Sequence, residues 1–346
     1  MKKLRILVVD DSPLMLAWLK KIFLTDPEVG EVLTAPDAYE AKTILEKIRP
    51  DVITLDVEMP GMNGVTFLKE IMASRPLPVV MVSAYTRENC QATIEALSLG
   101  AIDFIPKPGP GSLGERETFP ERILKKVKEA ANSQIMVTPS FSHKPLIQSH
   151  QVSTQKVREC IIGIGASTGG TQALQFLFSH LPEEMPSIVI VQHMLSQFTL
   201  AFADHLDEVS SLSVSEARQG DRLRPGEVLV APGDKHCQVQ KDHQGFYLTL
   251  DESPPVNHHR PSVDVFFYSM AKTVGEMGIG ILLTGMGKDG ARGLLAMREQ
   301  GARTLAQDES TSTIFGMPQA AIKIGAAQEV VSLKDMPGWL IKMVSM

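Results

Sequence analysis

The sequence predicts an α/β protein of two domains, the first a five-stranded parallel sheet and the second a doubly wound, mostly parallel sheet with a small antiparallel hairpin. Three observations predict it. The chain has 346 residues with 43% apolar content, too long for one ordinary core and apolar enough for two. Short β-rich runs alternate with helical segments in both halves, the pattern of a sheet covered on both faces. Between them, from about Asn132 to Lys156, periodicity is lost and Ser, Gln, His, Thr and Pro accumulate, as in a linker. The expected division is residues 1–130, a linker over 131–157, and residues 158–346.

In the first half, strands are expected at Arg5 to Val9, Glu31 to Ala35, Val52 to Asp56, Pro78 to Ser83 and Ala101 to Ile105. In the second, β-rich runs recur at Ile161, Ser187 to Val191, Glu227 to Val230 and Ile279 to Leu283, with helical patterns around Phe176, Phe267 and Leu294. Gln238 to Gln240 and Phe246 to Leu250 flank Asp242-His243-Gln244-Gly245 and predict the hairpin.

Composition removes several function classes. A net charge of -6 without a block of Lys or Arg argues against a nucleic-acid surface. Cys90, Cys160 and Cys237 are odd in number and far apart, which suggests neither a disulfide framework nor a zinc ribbon. No apolar run reaches the length of a membrane span, and Met1-Lys2-Lys3 leads directly into a strand pattern. A cytoplasmic monomer without membrane insertion is the expectation.

Ligands of an open parallel sheet collect at the carboxyl ends of its strands. In the first half those ends carry Asp10 and Asp11 after the first strand, Asp56 at the end of the third, Ser83 at the end of the fourth and Lys107 after the fifth. Three carboxylates together call for a hard divalent cation such as Mg2+. A carboxylate nucleophile, a metal, a hydroxyl and an ammonium are what an acyl-phosphate site needs. Each residue alone has a plainer reading: Asp11-Ser12-Pro13 caps a helix, and Lys107-Pro108 opens a loop. Through VVDD, the D-x-x-M-P-G-x-N-G run at 56 to 64, Ser83 and Lys107-Pro108, residues 1 to about 125 resemble the receiver domain of two-component response regulators, a flavodoxin-like fold. The resemblance implies phosphorylation of Asp56 by a histidine kinase, Mg2+ held by Asp10, Asp11, Asp56 and the Glu58 carbonyl, and Phe104 as the switch aromatic.

The second half opens with GIGASTGG at 163 to 170, which puts Ser167 in a strand-to-helix turn. A dinucleotide fingerprint would need glycine where Thr168 stands and an acidic residue at the end of the next strand, and both are missing. Gly165-Ala166-Ser167-Thr168-Gly169 instead fits G-x-S-x-G, although Ser167 or Thr168 as a helix cap fits that pentapeptide equally well. A serine nucleophile needs a base and an orienting acid. His193 emerges at the end of the very next strand, whereas His258 and His259 belong to a Pro-rich loop and His143 and His150 to the linker. For the acid, Asp234, Asp289 and Asp308 all follow apolar runs, and Asp289 also suits the N-cap of a helix over Ala291 to Arg298.

Through GxGASTGG, VQHM at 191 to 194, HHRPSVD at 258 to 264 and LLTGMGKDGA at 282 to 291, residues 158 to 346 resemble the catalytic domain of the chemotaxis protein-glutamate methylesterases. The resemblance implies Ser167 as nucleophile, His193 as base, Asp289 as its orienting acid and the Met286 N–H at the oxyanion. It further implies hydrolysis of glutamate methyl esters on chemoreceptors without a cofactor, with the unphosphorylated receiver covering the cleft. Glutamine deamidation is left open. Thr168 and the His258 to Asp264 loop, including Arg260, are candidate walls of the site.

Overall fold

A computed structural model describes residues 3–84, 86–109, 113–134 and 159–345. The chain divides into two compact units, residues 1–139 and 140–346. Most of the expected linker, from residue 135, lies outside the described residues, as do His143 and His150.

The first unit alternates β1 (Leu4–Val9), α1 (Pro13–Leu24), β2 (Val29–Ala35), α2 (Ala38–Lys47), β3 (Val52–Asp56), α3 (Gly64–Ser74), β4 (Val79–Ser83), α4 (Arg87–Ser98), β5 (Asp103–Pro106) and α5 (Leu113–Ala131). The strands pair in parallel in the order β2-β1-β3-β4-β5. The chain crosses from one side of β1 to the other, so the crevice between the ends of β1 and β3 is the switch point where such sheets bind ligands. Local chemistry starts the helices: Ser12, Asp37, Asn63 and Thr86 each accept a first-turn N–H. Because Ser12 is the cap of α1, the carboxylates of Asp10 and Asp11 are not used for that purpose. The fifth strand begins two residues later than expected, since the Ala101 N–H bonds back to Ala96 O and closes α4.

The second unit contains β6 (Ile161–Ala166), α6 (Gly170–Phe178), β7 (Ser187–Gln192), α7 (Ser196–Val209), β8 (Ser213–Glu216) and β9 (Glu227–Val230). It continues with β10 (His236–Asp242), β11 (Gly245–Asp251), α8 (Val263–Thr273), β12 (Gly278–Leu282), α9 (Ala291–Glu299), β13 (Arg303–Gln307), α10 (Met317–Lys323), β14 (Glu329–Val331) and α11 (Met336–Ser345). Seven strands pair in parallel in the order β14-β13-β12-β6-β7-β9-β8. Strands β8, β13 and β14 are absent from the sequence-based expectation. The first and last are short, largely exposed edge strands, and β13 hides its periodicity behind Arg303, Thr304 and Gln307. The hairpin β10–β11 is longer than expected, because Asp242 pairs with Gly245 and only His243 and Gln244 form the turn.

Helix α8 packs on the centre of this sheet, and β6 is shaped to receive it. A Cβ at Gly163 would lie 2.7 Å from Phe266, and one at Gly165 would lie 2.2 Å from Val263. The glycines of the Gly163-Ile164-Gly165 run therefore serve close helix packing inside a strand. The turn itself is made by Gly169, at φ +78°. The switch point of this sheet falls between β6 and β12, where the Ser167 N–H donates to Thr284 O at 3.0 Å.

Candidate active site and receiver acidic pocket

Ser167 follows β6 and His193 follows β7, the neighbouring parallel strand, with Ala166 opposite Gln192. The His193 N–H donates to Ala166 O at 3.0 Å, so the two chain ends leave the sheet side by side. The buried Gln192 amide donates to both Ser167 O (3.0 Å) and His193 O (3.3 Å). The cap reading of the pentapeptide fails, because the N-cap of α6 is Gly169 and no side chain caps it. Ser167 is half-buried, and its Oγ makes no hydrogen bond among the described residues. The thiols are poor rivals as nucleophiles, since burial pushes Cys160 and Cys237 up to about 12.

Of the three candidate acids, only Asp289 meets His193, with Nε2 to Oδ2 at 2.8 Å. Asp234 instead accepts from Ser196 Oγ at 2.8 Å, and Asp308 is bound by Ser310 and Thr311 of its own loop. The N-cap reading of Asp289 is overturned as well. Gly290, at φ +85°, stands before α9 without a side-chain cap, while the Asp289 carboxylate turns to the start of a different helix, α8. There Val263 N–H donates to Oδ2 at 2.7 Å, and Ser262 Oγ to Oδ1 at 2.8 Å. Asn257 Nδ2 adds a bond to Oδ1 at 2.7 Å. Burial alone would raise this carboxyl's pKa, but the bonds from His193, Asn257 and Ser262 hold it well below the usual carboxylate range. A carboxylate that stays ionised only accepts, so His193 carries its proton on Nε2. Its Nδ1 is buried without a hydrogen-bond partner among the described residues, which makes it the basic nitrogen.

Met286 lies on the β12–α9 loop, beside the serine. A Cβ on the preceding Gly285 would lie 2.7 Å from Ser167 Cβ, and the Gly285 carbonyl is tied down by the N–H groups of Gly316 (3.1 Å) and Met317 (2.8 Å). The Met286 N–H has no partner among the described residues. Of the candidate walls, Thr168 is buried and its carbonyl accepts from Thr284 Oγ1 at 3.0 Å. Arg260 turns to its own loop, donating to Glu252 O and Ser253 O at 2.6 and 3.2 Å.

Three further residues shape the site: His259, from the loop expected as a candidate wall, and His236 and Asn257, which carry no legible sequence signal. The His259 ring lies parallel on His193, 3.6 Å between centroids and 6° between planes. Fully buried His236 accepts the Ser262 N–H on Nδ1 (3.2 Å) and bonds Pro254 O through Nε2 (3.1 Å).

In the first unit, ligand atoms of Asp10, Asp11 and Asp56 lie within 4.8 Å of one another. Lys107 Nζ reaches Asp10 Oδ2 (2.7 Å) and Asp56 Oδ2 (2.6 Å), and its backbone N–H donates to Ser83 O at 2.8 Å. Burial pushes Asp56 up to about 6, against the Lys107 ammonium and with the Asp10 charge adding to the rise. One ammonium thus undercompensates two buried carboxylates and a third at the surface, and this oxygen-only donor set fits a hard divalent cation. Glu58 is exposed and its backbone N–H bonds the Asp56 carboxylate. Phe104 is buried in β5, with Lys126 Nζ 6.0 Å from its ring centre.

Known proteins match both units. The family described as CheB methylesterase matches residues 162–340, and the response regulator receiver domain matches residues 6–115. The protein-glutamate methylesterase/protein-glutamine glutaminase 2 of Vibrio vulnificus is 45% identical over 345 residues, covering 99% of each chain. Its namesake in Pseudomonas aeruginosa is 47% identical over 343 residues, covering 97% of this chain and 96% of its own. Among solved structures, the Thermotoga maritima CheB methylesterase catalytic domain is 37% identical, with a TM-score of 0.52 over 53% of this chain and 98% of that one. A parallel α/β unit with a serine at its switch point, preceded by a receiver domain, therefore belongs to the CheB methylesterase family.

Proposed function

We propose that this hydrolase cleaves methyl esters of glutamyl side chains on chemoreceptors, releasing methanol, under control of phosphorylation at Asp56. The observation that carries the chemistry is the His193 Nε2 to Asp289 Oδ2 bond, which leaves Nδ1 as a free base at the strand end next to Ser167. Ser167 Oγ attacks the ester carbonyl and gives its proton to His193 Nδ1. The carbonyl oxygen, now anionic, takes the Met286 N–H, and the imidazolium is balanced by Asp289. His193 then passes the proton to the departing methoxy oxygen, activates a water against the acyl-serine, and the glutamate leaves as its carboxylate. General-base help contributes about 10² to 10⁴ in rate, and one oxyanion donor about 3 kcal/mol. A glutamine side chain follows the same course with ammonia as the leaving group, in keeping with the glutaminase part of the relatives' names.

In the receiver unit, Asp56 accepts the phosphoryl group from a histidine kinase. Lys107 neutralises its oxygens and the Ser83 hydroxyl donates a hydrogen bond to them, and Phe104 responds as the switch aromatic. Asp10, Asp11, Asp56 and the Glu58 carbonyl would hold Mg2+, which supplies charge neutralisation to the incoming phosphoryl group. The domain bounds 1–130 and 158–346 suit this division of labour, and a cytoplasmic monomer fits it. No helix among the described residues is long and apolar enough to cross a membrane.

The test is Ser167→Ala in the full chain, assayed on methylated receptor membranes. Methanol release falls by at least about 10³-fold while receptor binding is retained. Appreciable remaining turnover would remove Ser167 from the mechanism.

A further inference from the structure

We infer that Asn257 is a positioning residue for the ester hydrolysis, acting through Asp289. The inference rests on the serine-hydrolase reading and concerns a residue that hydrogen-bonds neither Ser167 nor His193. Val256 and His259 exchange backbone hydrogen bonds (Val256 N–H to His259 O at 3.1 Å, His259 N–H to Val256 O at 2.9 Å), closing a tight turn. Its two central residues are not glycine, yet both are left-handed, Asn257 at φ +53° and His258 at φ +68°. Such strain outside glycine persists only where the surroundings over-determine it.

The turn reaches both halves of the His193–Asp289 pair at once. The His259 ring lies flat on His193, and the Asn257 amide lies between two buried carboxylates. Asn257 Nδ2 donates one hydrogen to Asp289 Oδ1 at 2.7 Å and the other to Asp264 Oδ2 at 2.8 Å. Asp264 also accepts the Gly293 N–H through Oδ1 at 2.7 Å. Burial raises Asp264 above its ordinary value, the Gly293 bond opposes the rise, and the Asp289 charge adds to it. Two like charges at this depth stay together only with a donor between them, and a primary amide has the two hydrogens required.

The charged and titratable groups facing the Asp289 carboxylate are then His193 on the β7 side, Asp264 on α8, and His259 behind His193, with His236 one bond further through the Ser262 N–H. Lys288, the preceding residue, is exposed.

The experiment compares wild type, Asn257→Asp and Asn257→Gly in the full chain, measuring the rate of Ser167 labelling by a fluorophosphonate across pH. Aspartate and glycine both tolerate a left-handed φ, so both variants keep the turn. Each lowers the plateau rate about tenfold, the worth of one hydrogen bond to a charged group, with the probe's half-saturation unchanged. Glycine removes the donor between Asp264 and Asp289, so these carboxylates take up a proton at higher pH and the acid limb of that variant moves up by about one pH unit relative to wild type. Wild-type plateaus in both variants, or coincident acid limbs, would overturn the positioning role while leaving the hydrolase reading intact. If the wild type itself resists labelling, or Ser167→Ala labels equally, the hydrolase reading falls and takes the inference with it.

Discussion

His193 and Asp289 are joined through Nε2 and Oδ2 at 2.8 Å, with Nδ1 left free, the reverse of the ring assignment in chymotrypsin-like proteases. Asp289 arrives from the loop after β12 and is seated on the N-terminus of α8, where Val263 N–H and Ser262 Oγ hold it.

Asp289→Asn should lower kcat by about 10⁴ with little change in KM, because the amide no longer selects the Nε2–H form of His193. Its stability is also pH-dependent with a definite sign. The folded carboxyl lies below its ordinary value, so its contribution is complete above about pH 4 and is lost as pH falls through the folded value. Urea unfolding should find wild type about 1–3 kcal/mol more stable than the variant at pH 7, the gap narrowing below about pH 4. A gap that widens on acidification would contradict the assignment.

Met286→Ala should leave kcat within about threefold of wild type, since the oxyanion donor proposed here is a backbone N–H and side-chain truncation does not remove it. The side chain is 44% exposed, so little packing is lost. A hundredfold loss in steady-state turnover would contradict a role confined to the backbone N–H.

Gly165→Ala places a Cβ 2.2 Å from Val263 Cγ1. The expected destabilisation is about 1–3 kcal/mol, measured by thermal unfolding, accompanied by lower kcat because Val263 carries one of the N–H donors to Asp289. Gly338→Ala is the control: nothing lies within 4 Å of its Cβ position in α11, and the variant should be neutral or more stable by about 0.5–1 kcal/mol.

With a small acyl phosphate and Mg2+, ester hydrolysis by the full chain should rise about 5- to 150-fold, the usual range of coupling between two sites. Asp56→Asn should abolish the rise, and chelation by EDTA should do the same while sparing basal turnover. A variant that still responds would move the phosphorylation away from Asp56.

Strand ends were the most informative positions in the sequence. Asp10, Asp56, Ser83 and Lys107 are legible because each follows an apolar run, and the parallel sheet gathers such residues at one edge. Ser167 and His193 are legible for the same reason, as ends of adjacent strands β6 and β7. The edge strands β8 and β14 were not, since segments of three or four largely exposed residues pair only because a neighbouring strand is present.

Periodicity and local turn chemistry thus determined the first sheet, the central strands of the second, the hairpin, the serine turn and the residues of the acidic pocket. Periodicity left Asp234, Asp289 and Asp308 open and only the motif resemblance pointed to Asp289, whereas the tertiary structure shows Asp289 alone of the three bonded to His193. Asp289 lies 96 residues beyond His193, and it meets the ring only because β12 returns to the far side of β6 and two strand glycines let α8 settle against the sheet. The same long-range closure brings Asn257 and His259 onto the pair. Local sequence encodes each turn, but which turns face one another is set by the order in which strands are added to the sheet.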